Sequence, residues 1–441
     1  MSASAPETGG PLQGENALVR AIGPVALTAA IVNIIVGAGI FMLPALLASR
    51  MGGAAPLAFL AGALAIVPIA LCFAAVGSRA VATGGAYTYV GAAFGPFAGF
   101  LAGALGWICN LASAAGVAAA LMGQLAHFVP ALAEPVARAA ALIVLQTALI
   151  ALNAFGVRLG ARAILALATL KLAPLIALAG IGLLFVDWGQ ISWTQVPSWS
   201  ALGTAMVLVM FAYSGMETAL IPSGEVRDPS RHVPRATLAA IVLVVLLYVG
   251  IQVVCQGVLG PALPGSAAPI AATAGALWSP GYGLLLATAC VSMTGFLMGN
   301  LLGSSRLVFA LGRDGYLPHA FGRVSAAHHV PLLAILVHGG LACVLAIGGS
   351  FETLALISGG ANCLLYVGVC LAAWRAQRLD LRGRGAPFVL PGGPAIPLLA
   401  VLAMGAIVST LTRAEWLAIG LALAALVAVY GLVRRRRSGT A

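Results

Sequence analysis

Residues 36–44 read VGAGIFMLP, and the fold turns on how this stretch is read. It lies inside an apolar run, residues 22–49, long enough to cross a bilayer core that takes about 20 apolar residues. Gly37 and Gly39 flank Ala38, and Pro44 follows, so the helix is weakened at mid-membrane depth. A second stretch, FAYSGMETA at 211–219 with Pro222 after it, interrupts the apolar run 200–221 with a glycine, polar residues and an acid. Close packing through small residues accounts for isolated Gly-Ala pairs in a chain with 55 glycines. Two breaks in corresponding places ask for more than packing.

Outward from these breaks the composition fixes the class. Of 441 residues, 61% are hydrophobic and 7% charged. Soluble domains carry about 25% charged residues. Mean hydropathy is +1.07, so the excess runs along the whole chain. A soluble enzyme, a coiled coil, a disordered scaffold and a secreted disulfide domain are excluded. What remains is an all-α polytopic membrane protein. The net charge of +11 reflects the cytoplasmic excess of Lys and Arg in such proteins, and no nucleic-acid partner is expected. The seven cysteines fall in apolar stretches without a CxxC pair, so no metal site and no cofactor are expected.

Apolar runs place spans near 22–49, 55–78, 96–128, 136–154, 162–186, 200–221, 236–258, 281–311, 331–349, 353–374, 394–412 and 415–433. Twelve spans put both termini on one face. Of the 22 Lys and Arg, 18 then share that face: Arg20, Arg79, Arg158, Arg162, Arg227, Arg231, Arg235, Arg306, Arg313, Arg323, Arg375, Arg378, Arg382, Arg384 and the run Arg434 to Arg437. This asymmetry predicts cytoplasmic termini, with a tail at 1–21 and a basic tail at 434–441.

The two breaks sit in spans one and six, five spans apart and oppositely oriented. Interrupted helices at matching positions of inverted halves point to a transporter's central site. Irregular backbone is tolerated at that depth only where protein or a water-filled cavity surrounds it. Freed amides at Gly37 to Ile40 begin a half-helix and suit a carboxylate. Freed carbonyls near Ile35, Phe211, Ala212 and Ser214 end the preceding half-helices and suit an ammonium. An anion cradle beside a cation cradle fits a zwitterion such as an amino acid. Lys171, the one lysine of the chain, lies about nine residues into span five, roughly 13 Å along a helix. Held so deep, it needs a cavity or a partner.

The segments NIIVGAGIFMLP (33–44), FAYSGMETALIPSGEVRDPSRHVPRA (211–236) and SSRLVFALGRDGYLPHAFGRVS (304–325) resemble signatures of the amino acid–polyamine–organocation (APC) superfamily of permeases. The resemblance implies a five-plus-five inverted-repeat fold with alternating access, the repeats covering 22–186 and 187–374 and two extra spans covering 375–433. It implies that the substrate carboxylate meets Gly37, Ala38, Gly39 and Ile40, with Ala38 where many relatives have Ser. The α-amino group is expected at the carbonyls of Ile35, Phe211 and Ser214, with the Phe211 ring at the place of an aromatic gate. Asn110 resembles a substrate-facing Asn. Asn300 falls, without gaps, where the arginine/agmatine antiporters have an aromatic specificity residue, which argues against such an exchanger. Interhelical hydrogen bonding is the other reading of both asparagines.

Glu217 is expected to cap or hydrate the second break and to influence gating. Lys171 resembles the fifth-span lysine of proton-dependent, sodium-independent members, bracing span one against span eight, with Ser292 and Thr294 as candidate partners. His338 and His127 stay outside the site, since a lone histidine more often makes a single hydrogen bond. Charges in the two inside-loop motifs are expected to lock the inward face. The expected function is secondary active, proton-coupled and sodium-independent uptake of neutral or broad-range amino acids across the bacterial plasma membrane. An amino acid/amine exchanger or a polyamine transporter is the alternative. A passive channel, which would show a ring of polar residues and oligomeric symmetry instead of two inverted halves, and an integral-membrane enzyme, for which no catalytic motif is present, are remote.

Overall fold

A computed structural model of the chain describes residues 23–79, 84–155, 161–192, 194, 197–221, 226–325, 330–381, 385–411 and 413–438. The expected tail at 1–21 lies outside these residues. So do Arg158, Arg382, Arg384 and Pro222. The architecture is all-helical, and no β-strand occurs among the described residues.

Span one is two helices, α1 (Pro24–Ile35) and α2 (Gly39–Met51), separated where the glycines of VGAGI stand. A 3-10 turn at Gly52–Ala54 leads into α3 (Ala55–Arg79). The short α4 (Ala86–Phe94) follows, which the apolar runs do not show, and then the long α5 (Pro96–Ala126). Next come α6 (Pro135–Ala154) and α7 (Ala161–Gly182). Span six is again divided, into α8 (Trp199–Tyr213) and a single turn, α9 (Met216–Ala219). After α10 (Pro229–Leu259) a second unexpected short helix, α11 (Pro269–Leu277), precedes α12 (Gly281–Arg313). The chain ends with α13 (Leu332–Gly348), α14 (Phe351–Arg378), α15 (Ala395–Ser409) and α16 (Arg413–Ser438). The expected basic tail therefore begins as the last turns of α16.

Among the described residues, eight helical segments are long and apolar enough to cross a membrane. Pro24–Ile35, Leu332–Gly348, Ala395–Ser409 and Ile419–Val433 are shorter apolar helices. Span six, though broken, counts among the eight as Trp199–Ala219, and the second half of span one counts joined to α3 as Gly39–Arg79, while its first half is one of the shorter helices.

Burial sorts the helices by their neighbours. The most apolar window of α5 is 78% buried and that of α6 only 17%, so α5 runs through the interior and α6 along the outside. Val136, Ile143 and Val144 on α6 turn apolar surface outward, as a helix in lipid requires. Around α5 gather α4, α12, α13 and α14, while α3 packs chiefly on α10. The two broken spans lie between these groups: α1 against α7, α10 and α12, and α2 against α8.

Candidate functional site

The last turn of α1 leaves carbonyls with no amide four residues on, as every helix end does. Val36 N–H still reaches Val32 O at 2.9 Å, but Gly37 N–H turns back to Ile35 O at 2.7 Å. Three helices supply the missing donors. Lys171 Nζ, from α7, donates to Asn33 O at 2.6 Å and to Val36 O at 2.8 Å. Ser292 Oγ, from α12, donates to the same Val36 O at 2.6 Å. Tyr248 OH, from α10, donates to Ile35 O at 3.0 Å. A cation at a helix C-terminus also meets the negative end of the helix dipole. Lys171 is 1% exposed, with its charge on main-chain carbonyls instead of water. Thr294 does not join this cluster; its hydroxyl bonds Cys290 O of its own helix at 2.8 Å.

Beyond the break, Phe41 and Met42 donate to Ala38 O, both at 3.1 Å. The amides of Ala38, Gly39 and Ile40 meet no carbonyl among the described residues. They form the positive end of α2, a setting suited to a carboxylate.

The second break mirrors the first. Ser214 N–H and its hydroxyl both donate to Phe211 O, at 3.2 and 2.7 Å. Gly215 has φ +129°, a conformation that side chains rarely adopt. Its N–H lies 2.9 and 3.0 Å from the two oxygens of Glu217, so the carboxylate caps the turn it belongs to. Tyr366 OH, from α14, donates to Glu217 Oε2 at 2.9 Å. Thr218 OH donates to Asn110 Oδ1 at 2.8 Å, tying α9 to α5. Asn110 and Glu217 also share a cavity of about 10 Å³, room for one water.

The breaks touch each other reciprocally. A Cβ on Gly39 would lie 2.9 Å from Ala212 Cα, and one on Gly215 would lie 3.0 Å from Ile35 N. Each break's glycine thus packs on the end of the other's first half-helix. Phe296 of α12 covers the first break, its ring 3.0 Å from where a Gly37 Cβ would be.

Most of the residues singled out from sequence therefore meet here: Ile35, Gly37, Ala38, Gly39, Ile40, Ala212, Ser214, Lys171 and Glu217. The carbonyls of Ile35 and Phe211 each already hold two protein donors, so an α-amino group would share or displace them. The Phe211 ring lies edge-on to Phe351, centroids 5.7 Å apart. Asn300 stands apart from the first break, bonding the Asn110 carbonyl at 3.3 Å, while Phe296 is the α12 side chain above Gly37. Sequence reading missed Phe296, Tyr248 and Tyr366. Tyrosines inside apolar runs were the available signal for the last two, since a buried hydroxyl needs a partner.

Arg50, late in α2, pairs with Glu352 in the first turn of α14. Tyr87 OH donates to Asp314 at 2.5 Å, and Arg313 pairs with Asp314 at 2.9 Å. Arg231 and Asp228 lie 3.7 Å apart, and the Ser230 hydroxyl holds the Asp228 carboxyl below the usual carboxylate range.

Residues 22–429 match the family described as amino acid permease. The chain belongs to the amino acid permease family. This permease is 25% identical over 414 residues to the branched-chain amino acid permease BcaP of Bacillus subtilis, covering 88% of this chain and 87% of that one. It is 27% identical over 447 residues to the serine/threonine exchanger SteT of the same organism, covering 96% and 99%. The crystal structure of MhsT in complex with L-phenylalanine superposes with a TM-score of 0.66 at 17% identity, over 89% of this permease and 98% of MhsT. That likeness is one of fold. The permease is a membrane-spanning APC-type transporter and not an enzyme.

Proposed function

We propose that this permease carries neutral or broad-range amino acids into the cell by secondary active transport, coupled to protons and independent of sodium. In this reading twelve spans cross the bacterial plasma membrane with both termini cytoplasmic. Spans one to five (22–186) and six to ten (187–374) form inverted repeats around the two breaks, and two further spans (375–433) follow. The amino acid lies between the breaks, its carboxylate on the amides of Gly39 and Ile40 and its ammonium near the carbonyls of Ile35, Phe211 and Ser214.

One observation supports independence of sodium. The Lys171 ammonium, with Ser292, occupies the carbonyl cluster at the end of α1. A lysine ammonium among these oxygens takes the place a second cation would need and repels it, which supports sodium-independent transport. Ala38, Ala212 and Met216 are apolar, and the one acid beside them, Glu217, is already held by the Gly215 N–H and the Tyr366 hydroxyl, which supports neutral substrates. The test is uptake of a radiolabelled amino acid panel into proteoliposomes, with and without an inward proton gradient, for wild type and Lys171→Ala. Accumulation driven by the gradient, indifferent to sodium and lost in the variant, is the expected result. Sodium-driven accumulation would overturn it.

Exchange is the second reading, supported by the relative named as a serine/threonine exchanger over nearly the whole of both chains. Uptake confined to vesicles preloaded with amino acid or amine would favour it.

A further inference from the structure

A ring of polar side chains closes on itself beside the second break. Trp107 Nε1 donates to His338 Nδ1 at 3.1 Å, and His338 Nε2 lies 3.1 Å from Asn300 Oδ1. Asn300 Nδ2 donates to the main-chain carbonyl of Asn110 at 3.3 Å, and the Ser304 hydroxyl reaches Asn300 Oδ1 at 3.3 Å. An indole N–H only donates, and a main-chain carbonyl only accepts. With both ends fixed, one arrangement satisfies every bond: His338 is neutral with its proton on Nε2, and the Asn300 amide has a single orientation. The chain of bonds starts on α5 at Trp107, passes through α13 and α12, and returns to α5 three residues later at Asn110. His338 and Asn300 are each 1% exposed, so water does not substitute for a lost partner.

Asn110 is where the ring meets the break. Its side-chain carbonyl accepts the Thr218 hydroxyl of α9 at 2.8 Å. A helix of one turn cannot hold itself, because nucleation is unfavourable and no further turns repay it. The position of α9 therefore rests on its outside contacts: packing on α1 and α12, and the bonds of Tyr366 to Glu217 and of Thr218 to Asn110.

We infer that His338 is a positioning residue for the transport step: set between Trp107 and Asn300, it fixes the Asn110 segment of α5, against which Thr218 registers the α9 turn. This builds on the reading of α9 as part of the transport site. His338 touches no substrate; it acts through Asn300 and Asn110.

The test is hydrogen–deuterium exchange of the full chain in nanodiscs, followed at residues 214–221, for His338→Phe, His338→Gln, Trp107→Phe, Thr218→Val and the His338→Phe/Thr218→Val double variant. Loss of one buried hydrogen bond corresponds to exchange about three- to ten-fold faster. His338→Phe and Thr218→Val each show that increase, and the double variant is no faster than Thr218→Val alone. His338→Gln keeps an N–H for Asn300 and restores most of the protection. Trp107→Phe, the milder change, stands in if His338→Phe does not stay monodisperse. Exchange at 214–221 unchanged in a folded His338→Phe protein, or an additive double variant, overturns the proposal. Exchange needs no substrate, so this outcome is independent of whether amino acid flux is found. Where flux is measured with L-leucine, His338→Phe lowers the maximal rate and leaves KM within about two-fold, the mark of a step after binding.

Discussion

Lys171 Nζ lies 2.8 Å from the Val36 carbonyl, and the Ser292 hydroxyl meets the same oxygen at 2.6 Å. One main-chain oxygen at the end of α1 thus ties α7 and α12 to the first break. The bond exists because the glycines of VGAGI stop the helix and leave that oxygen without an amide. Lys171→Met keeps most of the side-chain volume but removes the donor and the charge. It should cost about 1–3 kcal/mol, since Asn33 O and its neighbours lose charged hydrogen bonds in a buried place. Thermal unfolding of the detergent-solubilised protein checks this, and an unchanged midpoint would show that the ammonium contributes nothing to the folded state.

Gly39 meets Ala212 through backbone on the opposing side, so a methyl there cannot be absorbed by a rotamer change. Gly39→Ala should destabilise by about 1–3 kcal/mol and spread the two breaks. Gly180 on α7 has nothing within 4 Å of a built Cβ and serves as the control. Gly180→Ala should be neutral or slightly stabilising, because Ala is the better helix former by up to about 1 kcal/mol. Equal midpoints for the two variants would remove the steric argument.

Glu217 and Tyr366 act on one carboxylate, so their substitutions should not add. Tyr366→Phe should cost about 1 kcal/mol, and Glu217→Ala more, because the Gly215 N–H then loses its cap. In the double variant the Tyr366 term should largely vanish. A double-mutant cycle on unfolding midpoints measures the coupling, and a strictly additive result would show that the bond carries no weight.

Phe296 covers Gly37 and is the α12 side chain above the first break. Phe296→Ala should open room there and shift preference toward bulkier amino acids, while Phe296→Trp should narrow it. One methylene's worth of fit corresponds to about 1–3 kcal/mol, or 10-fold and more in relative uptake. Competition by a panel of unlabelled amino acids measures the shift, and an identical panel for all three proteins would place the substrate elsewhere.

The breaks were legible because closely spaced glycines and polar residues in an apolar run act locally: VGAGI and YSG mark where helices end, whereas Pro44, also read as weakening the span, lies inside α2. Lys171 was legible for a different reason, since a lone lysine in an apolar run has no bland place to go. The short helices α4 and α11 were not, because each is a few turns between longer apolar runs and carries no separate hydropathy signal. Neither was Phe296. A gapless comparison points at Asn300, and one turn along the same face of α12 separates Phe296 on Gly37 from Asn300 at Asn110 and His338. His338 shows the same limit. Its sequence gives a histidine in a span; only packing brings Trp107 and Asn300 to its two nitrogens.

In the proposed function an amino acid crosses at the paired breaks, proton-coupled and sodium-independent, with Lys171 on the carbonyls of the first break. Uptake by proteoliposomes under an inward proton gradient, without sodium, tests it most directly when wild type and Lys171→Ala are compared. The wild type should accumulate at least one neutral amino acid, and that accumulation should be abolished without the gradient and in the variant. Accumulation that needs sodium, or that survives in Lys171→Ala with its proton dependence intact, would contradict it.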